Sequence, residues 1–182
     1  MNDTRQRVVA SAATLFRSRG VHGTGTLAIL EDARAPRGSL YHHFPGGKSE
    51  LVLAALDHEG GRIAGDLAAL VALDLTPADA VLAFAESLAG SLEESDFRLG
   101  CPIATAALEL AADDDAVREL CSRTYRGWQD TIATHWARHG VPDADDRAEA
   151  ALCAIEGALV LARSHRDADI VRRTGRRVAE NL

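Results

Sequence analysis

Apolar positions in this chain recur every three to four residues rather than every second one, and the breaks between such stretches fall at glycine and proline. Val8, Val9, Ala12, Leu15 and Phe16 make one stripe, which predicts a helix from about Asp3 to Arg19 with Gly20 as its stop. Thr24 or Gly25 then caps a short helix ending near Ala33. Pro36 stands where a first helical position would be, and the helix it opens ends around His43. Pro45, Gly46 and Gly47 break the chain before a long helix from Lys48 to about Leu73, which Gly60, Gly61 and Gly65 weaken from within. Thr76-Pro77 opens a helix to about Leu92, and Pro102–Ala112 reads as another. The acidic trio Asp113–Asp115 starts one that closes at Gly140, Pro142-Asp143 starts one reaching His165, and a last helix covers Asp167–Asn181. Nothing reads as a strand and no repeat emerges, so the expected fold class is all-α.

With 182 residues, 47% of them apolar, the chain can bury the core of one large or two small domains. The start MNDTRQRVV is too polar for a signal peptide, and Cys101, Cys121 and Cys153 are odd in number without metal-type spacing; a reduced, cytoplasmic setting is expected. The longest nearly apolar run, Ala150–Ala162 with Glu156 inside it, falls short of the roughly 18 residues that span a bilayer, so no membrane partner is expected. Charge changes the picture more. Residues 1–50 hold seven Lys/Arg against four acids, a net of +3, while the remaining 132 hold thirteen against twenty-three, a net of -10. A basic head on an acidic body points to a polyanion met by the head alone.

The stretch RGSLYHHFPGGKSELV, from Arg37 to Val52, holds the densest chemistry. Gly47-Lys48-Ser49 matches the end of a nucleotide-binding loop, but such a loop needs a further glycine where His42 stands and a buried strand before it. The period here is helical, and the nucleotide reading fails. Ser39 has His42 and His43 nearby without a nucleophile elbow or an orienting acid. His135 and His139 have the spacing of a zinc helix, yet Trp136 occupies the place of the catalytic glutamate; they read as two histidines on a helix surface, and no metal or cofactor is expected. Short helix, tight turn, short helix from Thr24 to His43 instead suits a helix-turn-helix, whose second helix is small enough for the major groove.

The residues that carry this reading also resemble a known family. Gly20-Val21, Thr24, Ile29, Ala33, Gly38-Ser39-Leu40-Tyr41, His43-Phe44, Lys48 and Leu51 look like the signature of the tetracycline-repressor (TetR/AcrR) regulators, and Ala35–Lys48 is closer still to their LmrA/YxaF-like subgroup. Gly100-Cys101-Pro102-Ile103 is similar to that subgroup's C-terminal domain. The strong match covers residues 5–56, about a third of the chain. Arg34 departs from it, standing where the family has the glycine of the turn: either Arg34 adopts a left-handed conformation or the turn changes. Gly25 and Thr26 also depart, replacing a serine and a valine.

The resemblance implies a helix-turn-helix domain at 1–47 and a helical ligand-binding and dimerisation domain at 48–182. Pro36, Arg37, Gly38, Ser39, His42 and His43 would lie on or beside the recognition helix, with Arg37 facing either a guanine edge or a phosphate and His43 either touching DNA or packing inside. Gly38 would let backbone approach backbone. Tyr41 and Lys48 would contact phosphates, and Thr24 or Thr26 could do so at the start of the preceding helix, unless Thr24 is only a cap. In the body, Cys121, Tyr125, Trp128 and Ile132 form a stripe that is either core or the lining of a ligand cavity. Cys101, Glu109 and Glu156 join it as ligand candidates, with Phe84, Phe97 and His135 as weaker ones. The run Ala150–Ala162, apolar almost all round, asks for cover on both sides; with the family's four-helix interface it implies a homodimer through residues 146–181. Arg172, Arg173, Arg176 and Arg177 read as a solvated face. The expected function is a dimeric regulator, a repressor that binds a palindromic operator in double-stranded DNA and answers to a small-molecule inducer; the alternative is a small helical enzyme or carrier with a degenerate head.

Overall fold

A computed structural model describes residues 2–182, with side chains from Thr4 onward, and the described residues form helices and no strand. The helices are α1 (Asn2–Arg19), α2 (Thr26–Asp32), α3 (Ser39–His43), α4 (Gly47–Ala72), α5 (Pro77–Glu94), α6 (Pro102–Leu110), α7 (Asp115–Arg138), α8 (Ala144–His165) and α9 (Asp169–Glu180). The boundaries fall where the punctuation of the sequence puts them, to within a few residues. Thr76 caps α5, its hydroxyl accepting from the Asp79 amide with Pro77 in the first turn. Cys101 does the same for α6 through its sulfur, which accepts from the Ala104 amide at 3.5 Å.

The chain divides into two compact units: Met1–Arg62 with Cys101–Thr124, and Ile63–Gly100 with Tyr125–Leu182. α4 and α7 therefore each contribute to both. In the first unit, Val8, Ala12 and Phe16 of α1 are buried with Ile29 and Leu30 of α2, Leu40, Phe44, and Leu51 and Leu56 of α4. Polar groups inside this unit are matched: Ser11 donates to the Ile29 carbonyl at 3.0 Å, and the Arg7 guanidinium to the Ala33 carbonyl at 3.2 Å. Arg7 thus closes the end of α2, where a cation is favoured. Gly60 has a packing reason, because a β-carbon there would come within 2.8 Å of the Thr124 methyl; Gly61 and Gly65 face open space.

In the second unit α9 packs on α5 and α8, and Gly175 lets α9 approach Ala85 closely. Arg172 is held there by Glu86, Glu93 and Asp169, and Arg173 by Asp167. Those two arginines serve α9 and its neighbours, which fits a face that is not for nucleic acid.

Arg34 takes the left-handed alternative, with φ of +50°. A side chain there costs about 1–2 kcal/mol, while glycine loses about 0.5–1 kcal/mol more chain entropy, so the two nearly offset with a balance toward glycine. Arg34→Gly is expected to raise stability by roughly 0.5–1 kcal/mol, read from urea unfolding. A drop would mean that the arginine side chain holds the turn in place.

Candidate nucleic-acid interface and ligand cavity

The head presents one exposed patch built by its sequence. Leu40 and Phe44 point inward from α3 and the residue after it, which leaves Pro36, Arg37, Gly38, Tyr41 and His42 exposed and Ser39 and His43 half-buried. Tyr41 is 70% exposed, and the rings of His42 and His43 meet edge to face at 4.7 Å. Arg37 makes no ion pair among the described residues. Gly38 has nothing within 4 Å of where a β-carbon would sit, so its bareness serves no packing inside the chain. Such a surface can take an external backbone at close range.

Thr24 is placed differently from the expectation. It is 1% exposed and its hydroxyl donates to the Gly20 carbonyl at 2.6 Å, which fastens the chain back onto the end of α1. The N-cap of α2 is Gly25, with no side-chain cap bond, and the half-buried Thr26 opens the helix. Sequence reasoning passed over Leu27, an apolar side chain 52% exposed on α2 beside Thr26. Its position off the stripe of Ile29 and Leu30 was the available signal.

The run Gly46-Gly47-Lys48-Ser49 is the start of α4. Gly47 has φ of +67°, a value that needs glycine, and the Glu50 carboxylate reaches back to accept from the Gly46 amide at 2.8 Å. Lys48 is half-buried, and its ammonium donates to the Val21 carbonyl at 2.7 Å. From the other side, one oxygen of Glu109 on α6 accepts from the amides of Val21 at 2.7 Å and His22 at 2.9 Å. The Val21 residue, 3% exposed, is thus held through its carbonyl by a cation and through its amide by an anion. A β-carbon on Gly20 would collide with that carboxylate.

The residues expected around a ligand are divided between the two units. Cys101, Glu109 and Cys121 belong to the first unit, Tyr125, Trp128, Ile132 and Glu156 to the second. Cys121 is buried with its thiol directed at the Ile103 carbonyl at 3.8 Å, and burial pushes its pKa up. Tyr125 and Trp128 pair edge to face at 5.4 Å, Trp128 being 3% exposed. Glu156 is half-buried on α8. Ile132 lines a cavity of about 70 Å³ in the second unit, partly open and walled almost wholly by carbon. Leu67, Leu70 and Val71 of α4, Phe84 of α5, Ile132 and Trp136 of α7, and Leu152 and Ile155 of α8 contribute to it.

His135 lies in the same wall, which corrects its reading as a surface histidine. It is 2% exposed, and neither ring nitrogen has a hydrogen bond of ordinary geometry, although the Leu75 carbonyl faces the ring as an acceptor. Burial holds its pKa below the usual histidine value, helped by His139 and Arg138 and opposed by the Leu75 carbonyl and Asp74, so the ring is neutral near pH 7. Its period on α7 matches Ile132 and Trp136, but a lone histidine gave no reason to prefer burial.

No helix among the described residues is long and apolar enough to cross a membrane. Comparison with known proteins adds the relationships. The family described as "Bacterial regulatory proteins, tetR family" matches residues 8–55, and "Transcriptional regulator LmrA/YxaF-like, C-terminal domain" matches residues 77–177. The chain is 36% identical over 175 residues to the uncharacterised HTH-type transcriptional regulator Rv0196 of Mycobacterium tuberculosis, covering 92% of this chain and 88% of the relative. It is 29% identical over 161 residues to the HTH-type transcriptional regulator LmrA of Bacillus subtilis, covering 87% and 86%. Among solved structures, regulatory protein TetR from Rhodobacter sphaeroides superposes with a TM-score of 0.88 at 24% identity, covering 97% of each chain. The reduced form of NemR from E. coli does so at 0.86 and 20%, covering 98% of this chain and 97% of that one; both likenesses bear on the fold.

Proposed function

Because the chain belongs to the TetR family of bacterial regulatory proteins and carries an LmrA/YxaF-like C-terminal domain, it is a DNA-binding transcriptional regulator and not an enzyme, and we propose that it is a cytoplasmic, dimeric repressor released from a palindromic operator by a small molecule. The observation that carries the reading is the exposed set Pro36, Arg37, Gly38, Tyr41 and His42 on a helix whose other face is core. Two such heads related by a twofold axis would read half-sites about 34 Å apart. Arg37 is the side chain with the reach and the fork for a base edge, Tyr41 has a hydroxyl for a phosphate, and Lys48 has ammonium protons beyond the one spent on Val21. Thr26 stands at the amide end of α2 and adds a hydroxyl there.

Support for the dimer comes from α8. Ala150, Cys153, Ala154, Gly157, Val160, Leu161 and Ser164 are all exposed and recur at helical spacing without a charge among them. Leu159, by contrast, is 8% exposed within its own subunit. For the response to a ligand, support comes from α4, which has Lys48 near one end and the cavity residues Leu67, Leu70 and Val71 toward the other. A molecule that fits only when this helix shifts would move the heads off register, by its differential affinity for the shifted state.

Genomic fragments enriched by the purified protein would supply the operator, and fluorescence anisotropy on it tests the roles. Arg37→Ala is expected to weaken specific binding by about 1–3 kcal/mol, roughly 5- to 150-fold, and to relax preference at one base position. Lys48→Ala should weaken binding to all sequences and lower the slope of log affinity against log salt by about one, whereas Tyr41→Phe leaves the slope unchanged. An affinity of the unaltered protein that is indifferent to salt, or no enrichment of any fragment, would overturn the reading.

A further inference from the structure

A buried imidazole with no hydrogen bond of ordinary geometry is a cost that a chain does not carry without a reason, since buried polar groups are paired in the great majority of cases. His135 is such a group, 2% exposed, and it faces a cavity walled almost wholly by carbon. Its neighbours relieve it at most in part: the Leu75 carbonyl faces the ring and can take the single N–H of a neutral imidazole, which leaves the other nitrogen without a partner. The ring of His139 meets it edge-on at 4.5 Å, but the Nδ1 of His139 is engaged with the His135 backbone carbonyl at 3.0 Å. Water is a poor occupant, because it needs two to four polar partners and the walls are apolar apart from this ring and the indole of Trp136. We propose that His135 is the polar anchor of a small-molecule site, and that its occupant is uncharged and mostly hydrocarbon, with one hydroxyl group set against an imidazole nitrogen.

Each part of that description follows from the cavity. The volume of about 70 Å³ is about half that of a cavity of about 150 Å³ known to take benzene, so the enclosed part holds a group of three or four non-hydrogen atoms, with any longer portion leaving through the open side. Charge is excluded by walls that give an ion nothing to pair with. A hydroxyl is favoured over a carbonyl because it both donates and accepts, and so satisfies the facing nitrogen in either tautomer of the neutral ring. The inference rests on the reading of the protein as a ligand-responsive regulator, which it refines by the class of ligand.

The test uses 1-propanol and 1-chloropropane, which differ by the hydroxyl alone and are close in size. Titrated into the full-length protein without DNA, 1-propanol should bind at least about fivefold more tightly than 1-chloropropane and move the ¹⁵N signal of one His135 ring nitrogen. In a cavity without an anchor the chloride, being the more apolar, binds the tighter. His135→Phe should therefore reverse the order, and the comparison on the unaltered protein stands whether or not that variant folds. Tighter binding of 1-chloropropane to the unaltered protein, binding of neither probe, or ring nitrogens bonded to water that neither probe displaces would each overturn the proposal. Operator affinity separates it from the reading beneath. If 1-propanol saturates His135 and leaves operator binding unchanged, release by this site fails while the anchor stands. If some other compound releases DNA without moving the His135 signals, release stands and the anchor fails.

Discussion

Leu161→Arg is expected to yield a folded monomer that no longer binds the operator measurably at nanomolar concentrations. Leu161 is 51% exposed, as is its neighbour Val160 at 54%, so a charge there disturbs little inside the subunit. Across a twofold axis the same change enters the interface twice, and a buried charge without a partner costs several kcal/mol. The second head then loses its tether. Two linked heads bind with an effective local concentration in the millimolar range, and a monomer forfeits that gain. Sedimentation velocity at micromolar protein would read the association state, circular dichroism the fold, and anisotropy the DNA. A retained dimer, or an unaltered protein that sediments as a monomer, would refute the assignment of this face.

Glu109→Ala should lower stability by about 2–3 kcal/mol, because hydrogen bonds to a charged group contribute about 1.5–3 kcal/mol and two amides lose their acceptor together. One of them, at Val21, is buried and cannot turn to water. For a chain of this length about 1 kcal/mol moves the melting temperature by roughly 2–4 °C, so a fall of about 5–10 °C is expected. Hydrogen exchange at Val21 and His22 should accelerate before that of the Ile29 amide, since the change frees the turn between α1 and α2 first. Glu109→Gln keeps an acceptor oxygen and should fall between the two. A melting temperature of Glu109→Ala within about 2 °C of the unaltered protein would show that the contact adds nothing.

The legibility of the sequence differs between these two cases for a physical reason. Helices announce themselves locally, through proline in first turns at Pro77 and Pro102, glycine after Arg19, and stripes such as Val8, Ala12 and Phe16. The α3 face was readable for the same reason: with Leu40 and Phe44 inward, Arg37 and Tyr41 had to be outward. Contacts between distant residues leave no such period. Glu109 meets Val21 across 88 positions, and nothing in its surroundings distinguished a carboxylate facing a ligand from one facing two amides. Thr24 shows the limit of local rules in another way, since a threonine before a helix is a cap by propensity, yet packing turned its hydroxyl back to Gly20. His135 was read as surface because histidine usually lies there. Of the stripe that was read as cavity or core, Cys121 and Trp128 are buried, Tyr125 is half-buried, and Ile132 lines the cavity of the second unit.

The incompletely paired ring of His135 has a consequence for the lifetime of the protein in a cell. A penalty of about 1–2 kcal/mol raises the fraction of molecules unfolded at any moment by a factor of about 5–30, and proteases act on that fraction. A bound molecule that pairs with the ring removes the penalty and adds its own binding free energy, about 2.7 kcal/mol at a hundred times its dissociation constant. With the proposed site occupied, the regulator would be degraded more slowly than the empty one. On the proposed reading of a repressor released by an inducer, its abundance would rise while the inducer is present, and when the inducer is withdrawn the enlarged pool would return to DNA and shut the target genes off faster than the original number of copies could.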